Sequence, residues 1–146
     1  MTALRSKLLY SPEVLALASE LSAYPLNDRA ALRAEVRSPS CGSSLILGLG
    51  LNSEMEIAHI GVAARACAIG QASAAIFALA GLDKNLQDVE QAEAAIIQWL
   101  LGDGEMPKWP RFELISAAHA YPARHGAIIL PWRAALVAFR MCDKRD

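Results

Sequence analysis

"SLILGLGLNSEMEIAHIGVAA", residues Ser44–Ala64, decides the fold of this chain. Its first part alternates leucine with isoleucine or glycine, which is the two-residue period of a strand. The central "NSE" is typical of a turn, and "EIAHIGVAA" predicts the next strand. The leucines share one face, whereas Gly48 and Gly50 lie on the other, so we expect something to approach that second face closely.

A further strand is predicted before this pair. The segment "ALRAEVRS", residues 31–38, places Leu32, Ala34 and Val36 on one face and charged side chains on the other. The connections between the three strands are short, so an antiparallel meander is the simplest topology. The remaining segments predict helices, and the class is therefore α+β: a three-stranded antiparallel sheet covered by about five helices.

The predicted helices have recognisable ends. "SPEVLALASELSAY" starts with Ser11 as its N-cap and Pro12 in the first turn. "CAIGQASAAIFALAGL" follows the third strand, with Gly81 suited to a C-cap. "NLQDVEQAEAAIIQWLLGDG" starts with Asn85 as a cap. A short helix and then a turn follow in "WPRFELISAAHAYPARHG", and the last helix is predicted to begin at Pro131.

Composition excludes several classes of protein. The 146 residues correspond to about one domain, residues 1–146, and a hydrophobic content of 54% opposes disorder. The net charge is −1, so there is no basic field to hold nucleic acid. The most apolar stretch, residues 57–82, is rich in alanine and glycine and contains Arg65, which indicates a buried core element and no membrane span.

Cysteine usage indicates a reducing location. Three cysteines at wide spacings do not form a disulfide framework. The first ten residues, "MTALRSKLLY", lack the apolar core of a signal peptide. We therefore expect a cytoplasmic protein.

Two of the cysteines are predicted to meet at one end of the sheet. Cys41 lies in the turn-like "SPSCGSS" between the first two strands, and Cys67 lies where the third strand gives way to a helix. In a meander these two points share an end of the sheet, although they are 26 residues apart. The start of a helix and the charge of Arg65 suit a thiolate. Cys142, near the last residues, is typical of a buried or incidental thiol.

The segments "SPSCGSSLILGLGLN", "EIAHIGVAARACAIGQASAAI" and "YPARHGAIILPWRAAL" resemble the NifU/IscU-type iron–sulfur cluster assembly scaffolds, in particular the SufU-like branch. The resemblance covers about residues 9–136 and implies a three-stranded antiparallel sheet with helices packed on it. In that family, three cysteines and an aspartate hold a nascent cluster or a zinc ion. Cys41 matches the first family cysteine and Cys67 the second.

Two of the four family ligands have no counterpart here. The aspartate position falls on Ser43, within "CGSS", and the third cysteine position falls on Ala127, within "RHGAIILPW". The rest of that third motif does match, at Arg124, Leu130 and Trp132. A two-iron cluster normally needs four ligands, and zinc binding is weakened for the same reason. His125 is a candidate substitute ligand if its imidazole turns inward, although a surface histidine is the plainer interpretation.

The resemblance implies a cluster assembly scaffold with a reduced ligand set. Cys41 and Cys67 would bind iron or a transient cluster, supported by Arg65 and Arg124. The other ligands would come from His125, from glutathione, or from a second subunit in a homodimer. The implied partners are a cysteine desulfurase and other cluster assembly proteins.

Two alternatives remain open at this point. SufE-type sulfur acceptors share the fold and carry a persulfide on one cysteine, which would be Cys41 here. A docking module that handles neither metal nor sulfur is the other alternative, in which Trp132 serves only packing. We find no nucleophile–histidine–acid arrangement and no phosphate-binding loop, so we do not expect an enzyme.

Overall fold

The structure, a computed structural model, describes residues 9–39 and 42–144. It has the predicted α+β class, with a three-stranded antiparallel sheet and helices packed against it. The strands are β1 (Leu32–Arg37), β2 (Ser44–Leu51) and β3 (Ile57–Arg65). The α-helices are α1 (Pro12–Glu20), α2 (Ala68–Gly81), α3 (Leu86–Leu100) and α4 (Pro122–Lys144), and 3₁₀ helices span Leu21–Ala23 and Phe112–Ala120.

The sheet has the order β1–β2–β3, and both pairs are antiparallel. At one end Ser44 pairs with Arg37 on β1 and with Arg65 on β3. The predicted alternation in β2 is confirmed, since Leu47 and Leu49 are fully buried beneath the sheet. Because Ser44 pairs with Arg65, the residues that precede β2 and those that follow β3 lie at the same end of the sheet.

A short segment, residues 25–30, crosses the outer face of the sheet, and we call it the strap. A Cβ atom on Gly48 would lie 2.4 Å from that of Ala30, and one on Gly50 would lie 2.8 Å from the Arg29 carbonyl oxygen. On β3, a Cβ atom on Gly61 would lie 2.7 Å from the Pro25 carbonyl oxygen. The expected close approach to the glycine face is thus confirmed, and the approaching group is the chain itself.

Predicted helix starts are confirmed where a side chain can cap the first turn. The Ser11 hydroxyl accepts a hydrogen bond from the Val14 N–H at 3.2 Å. At the start of α3, Asn85 and Asp88 form a reciprocal capping box. Such local hydrogen bonds satisfy donors that the helix leaves unpaired, which explains why sequence locates these ends well.

The last helix begins earlier than predicted. It starts at Pro122, and Pro131, the predicted start, lies inside it. Both prolines suit a first turn, but packing selects the earlier one, because the residues between them bury against α2. The Ser73 hydroxyl on α2 donates to the Ile128 carbonyl oxygen at 2.6 Å, and both residues are fully buried.

Gly81 has a packing role and is not the C-cap of α2. It is the last residue of the helix, and Leu82 is the C-cap in an extended conformation. A Cβ atom on Gly81 would lie 2.7 Å from Cδ1 of Ile60 on β3. The glycine therefore lets α2 approach the sheet.

The core contains an aromatic cluster around Trp132, which is fully buried. Its ring meets those of Phe77, Trp109 and Phe112 edge-on, with centroids 5.3–5.9 Å apart. The prediction that Trp132 is buried is therefore confirmed. Among the described residues, no helix is both long enough and apolar enough to span a bilayer.

Candidate functional site

Cys67 is the N-cap residue of α2, directly after β3. Its backbone is extended, with φ −64° and ψ 171°, and its side chain is half-buried and makes no capping hydrogen bond. The first turn is closed by the Gln71 N–H, which donates to the Cys67 carbonyl oxygen at 3.0 Å. The Gln71 side chain reaches back and donates to the Ala66 carbonyl oxygen at 2.9 Å. The backbone around the thiol is thus held while the sulfur is left without a capping role.

The connection between β1 and β2 closes at the same end of the sheet. The Ser38 N–H donates to the Ser43 carbonyl oxygen at 2.8 Å, and the Gly42 N–H donates to the Ser38 carbonyl oxygen at 3.1 Å. Gly42 has φ +71°, a conformation that favours glycine. Cys41, the first predicted ligand and the predicted persulfide acceptor, lies outside the described residues.

The end of the connection between β1 and β2 and the start of α2 lie at one end of the sheet. Gly42 lies two residues before Ser44, and Cys67 lies two residues after Arg65. Because Ser44 and Arg65 are paired across the sheet, Gly42 and Cys67 lie at the same end of it.

Ala127, at the third family cysteine position, packs against the first turn of α2. It is 1% exposed, and its Cβ lies 3.3 Å from where a Cβ on Gly70 would be. Gly70 is three residues after Cys67, so Ala127 is within one helical turn of the thiol. A methyl group cannot bind iron, so Ala127 offers no donor beside the first turn of α2.

Ser43 lies at the start of β2, beside Gly42, and is 5% exposed. Its backbone carbonyl oxygen closes the connection described above. Its side chain carries a hydroxyl, which is a weaker metal ligand than a carboxylate.

His125 is not brought to this site. It lies two residues before Ala127 on α4, which places it about 200° around the helix, on the other side. Its Nε2 lies 2.8 Å from the His119 carbonyl oxygen, which is an acceptor, so Nε2 carries the proton. His119 is bound in the same way to the Trp99 carbonyl oxygen at 2.8 Å. His119 thus joins the 3₁₀ helix Phe112–Ala120 to α3, and His125 joins α4 to that 3₁₀ helix.

The two supporting arginines have different surroundings. Arg124 donates from Nη2 to the Tyr10 hydroxyl oxygen at 3.0 Å, which joins the first turn of α4 to the segment before α1. Arg65 is exposed at the end of β3 and lines a surface cavity of about 520 Å³ on the outer face of the sheet. Arg37, on the neighbouring strand, lines the same cavity.

The structure contains few metal donors near Cys67. Within residues 9–39 and 42–144, no group of three or more histidine, cysteine, aspartate or glutamate side chains can hold a metal ion. Cys142 lies 15 residues after Ala127 on α4, about 22 Å along the helix at about 1.5 Å per residue. Cys142 therefore lies far from the end of the sheet at which Cys67 is found.

Sequence reasoning missed two residues of this region. Gln71 had no predicted role, because its contact with Ala66 depends on how the chain enters α2. Arg37 was only one of the outward residues of β1. Its pairing with Ser44, and through it with Arg65, could have been found from the strand register.

Comparisons with known proteins support the fold. No protein-family model matches the chain, and no curated protein matches it in sequence. Among solved structures, the N-terminal part of a nitrogen-fixing NifU-like protein from Brucella abortus has a TM-score of 0.84 at 23% identity, covering 97% of this chain and 99% of that one. An iron–sulfur cluster assembly scaffold described for the SUF system of Fervidobacterium islandicum AW-1 has a TM-score of 0.81 at 20% identity, covering 92% and 98%. The chain therefore has the fold of NifU-like and SufU proteins.

Proposed function

We propose that this protein takes part in iron–sulfur cluster assembly as a scaffold-like carrier, with Cys41 and Cys67 as its thiol pair. The observation that carries the proposal is the position of Cys67 at the start of α2. This point shares an end of the sheet with the connection that contains Cys41. One of the two solved structures above is named for this process, and both have the same fold over nearly their whole length.

The cargo would be iron or a nascent cluster, and the chain supplies only part of its coordination. A two-iron cluster normally has four protein ligands. Ala127 offers none and Ser43 offers a weak one, so two ligands must come from outside the chain. Glutathione or a second subunit that contributes its own Cys41 and Cys67 would complete the set. Such a carrier binds its cargo transiently, and it is not a catalyst.

The partners that fit this role are a cysteine desulfurase, which supplies sulfur, and the proteins that receive the cluster. A reducing compartment such as the cytoplasm would keep both thiols available. Zinc is a weaker candidate, because a stable zinc site also wants four donors.

Anaerobic reconstitution with ferrous iron and sulfide tests the proposal. Wild type is expected to bind iron with visible charge-transfer bands, and Cys67→Ser is expected to lose both. Cys142→Ser is the matched control, since it removes a thiol far from the site, and it is expected to keep its iron. We also expect His125→Ala to keep its iron, because that imidazole lies on the other side of α4.

Equal iron in wild type and Cys67→Ser would contradict the proposal, as would no iron in wild type with glutathione present.

Ala127 offers no donor, which favours one second candidate, sulfur transfer, because that reaction needs a single thiol. The Cys41 thiolate would attack the outer sulfur of a desulfurase persulfide and form a Cys41 persulfide, and the desulfurase cysteine would leave as a thiolate. Intact mass would then rise by one sulfur atom in wild type and not in Cys41→Ser.

A further inference from the structure

A surface groove runs between the end of β1 and the side of α4. Its volume is about 390 Å³. Its floor is apolar and its rim is positively charged. We call it the arginine groove: the floor contains Val36, Leu130 and Val137, and the rim contains Arg37, Arg133 and Arg140.

Helix periodicity explains why α4 presents this surface. Leu130, Arg133, Val137 and Arg140 recur at spacings of three and four residues, so they form one stripe along the helix. Leu130 is 3% exposed and supports the floor, whereas the two arginines are exposed. A segment that lies in the groove would meet aliphatic side chains below it and guanidinium groups beside it.

The charge of the groove selects an acidic occupant. Three arginines line it against one acidic residue, Glu93, in a chain whose net charge is −1. Glu93 lies 3.8 Å from Arg133 in a half-exposed pair, which is worth little and leaves the groove positive. Residues 1–8 carry Arg5, Lys7 and no acidic residue, so charge does not favour the chain's own start as the occupant.

The adjoining edge of β1 is suited to an extended segment. β1 and β3 are the two edge strands of the sheet. The free edge of β3 is occupied: the Val62 N–H donates to the Tyr24 carbonyl oxygen at 2.7 Å, and Ile57 exchanges hydrogen bonds with residues 83 and 84. Within the described part of the chain, no other segment makes backbone hydrogen bonds to the outer edge of β1. An unpaired edge is a template for strand addition.

We propose that the arginine groove docks an extended, acidic segment of a partner protein, which adds a strand to the edge of β1. Its carboxylates would pair with Arg37, Arg133 and Arg140, and its alternate side chains would fill the aliphatic floor. Arg37 lies four residues before Cys41, so the docked partner would sit next to the connection that carries this thiol. The residues that line the groove include no cysteine, so docking of this segment does not require iron.

Fluorescence anisotropy with labelled octapeptides tests this docking. The probe is four Glu-Val repeats, and its counterpart is four Lys-Val repeats. We expect the acidic peptide to bind wild-type protein, to weaken as salt rises, and to bind the double variant Arg133→Glu, Arg140→Glu roughly tenfold or more weakly. The basic peptide is expected not to bind. Methylation of alternate peptide nitrogens should also weaken binding, because it removes strand hydrogen bonds.

Arg29→Glu is the matched control, because it changes an exposed arginine on the strap, near Gly50 at the other end of the sheet. It is expected to leave affinity within about twofold of wild type. Equal losses in the control and the double variant would overturn the proposal, since general charge would then explain binding. No binding at low salt would overturn it as well. Self-association of the free protein that the double variant abolishes would identify a second copy as the occupant and contradict an acidic partner.

Discussion

The two halves of the outer sheet face differ in what covers them. In the half with Gly48, Gly50 and Gly61, the strap lies so close that any Cβ would meet it at 2.8 Å or less. In the other half, Ser44 and Ala63 are also small, yet no strap crosses them, and a cavity of about 520 Å³ opens there. We call these the covered half and the open half.

Small residues therefore serve different purposes on one strand face. In the covered half they are required by packing, because backbone of the strap occupies the space that a side chain would need. In the open half packing does not require them. The open half also lies at the end of the sheet where Cys67 and the connection containing Cys41 are found. The contrast shows that packing against the strap is concentrated at one end of the sheet and that the other end is left accessible.

The substitution Gly61→Val would disrupt packing between the strap and the covered half, and it has the largest expected effect on stability. Its Cβ would lie 2.7 Å from the Pro25 carbonyl oxygen and 3.0 Å from the Leu26 Cα, both backbone atoms. The strap would have to move, so we expect a loss of about 3 kcal/mol in the free energy of unfolding. Urea denaturation followed by circular dichroism measures it.

Ala63→Val is the matched control, two residues further along β3 on the same face, where the side chain is exposed. It should change the free energy of unfolding by less than about 0.5 kcal/mol. Similar losses in both variants would show that the covered and open halves do not differ in packing.

Ala127→Cys tests whether the end of the sheet that carries Cys67 can hold iron more tightly when a third thiol is added. Ala127 packs against Gly70 in the first turn of α2, so a sulfur at this position would lie next to that turn. A third thiolate should increase retained iron, and we expect dissociation of iron by a chelator to slow by roughly tenfold, which corresponds to about 1.4 kcal/mol. Ala134→Cys, buried further along the same helix, is the control and should not slow it.

Tyr10→Phe has the smallest expected effect. It removes the hydroxyl that accepts a hydrogen bond from Arg124, and so it loosens the first turn of α4. We expect a loss of about 1 kcal/mol in the free energy of unfolding, measured by urea denaturation. Tyr121→Phe, whose hydroxyl makes no hydrogen bond within the described residues, should leave stability unchanged. A larger loss of stability in Tyr121→Phe than in Tyr10→Phe would contradict the role assigned to Arg124.

Local chemistry made much of the fold predictable. The alternation in β2 located a strand and its buried face, and the side chains of Ser11 and Asn85 located two helix starts. The start of α4 was missed because Pro122 and Pro131 compete locally, and the choice depends on burial against α2. The purpose of Gly81 was missed because Ile60, its neighbour in space, is distant in sequence.

The position of Cys67 could be predicted from the sequence, whereas the direction of the His125 side chain could not. Strand order sufficed to bring the ends of β1 and β3 together, which put Cys67 where it was expected. His125 was a reasonable candidate in a turn, but the turn is helical, and the helix carries its imidazole away from Ala127. Side-chain direction depends on backbone conformation, which the short motif "RHGA" did not reveal.

The central proposal is that Cys41 and Cys67 form a thiol pair at one end of the sheet, and disulfide trapping tests it most directly. In a Cys142→Ser background, mild oxidation of dilute protein should give an intramolecular disulfide between these two cysteines, identified by peptide mass mapping. A disulfide requires Cα atoms within about 7 Å, so its formation reports proximity without iron or partners. Two thiols that remain separately alkylated after oxidation, or that form only intermolecular links, would contradict the account.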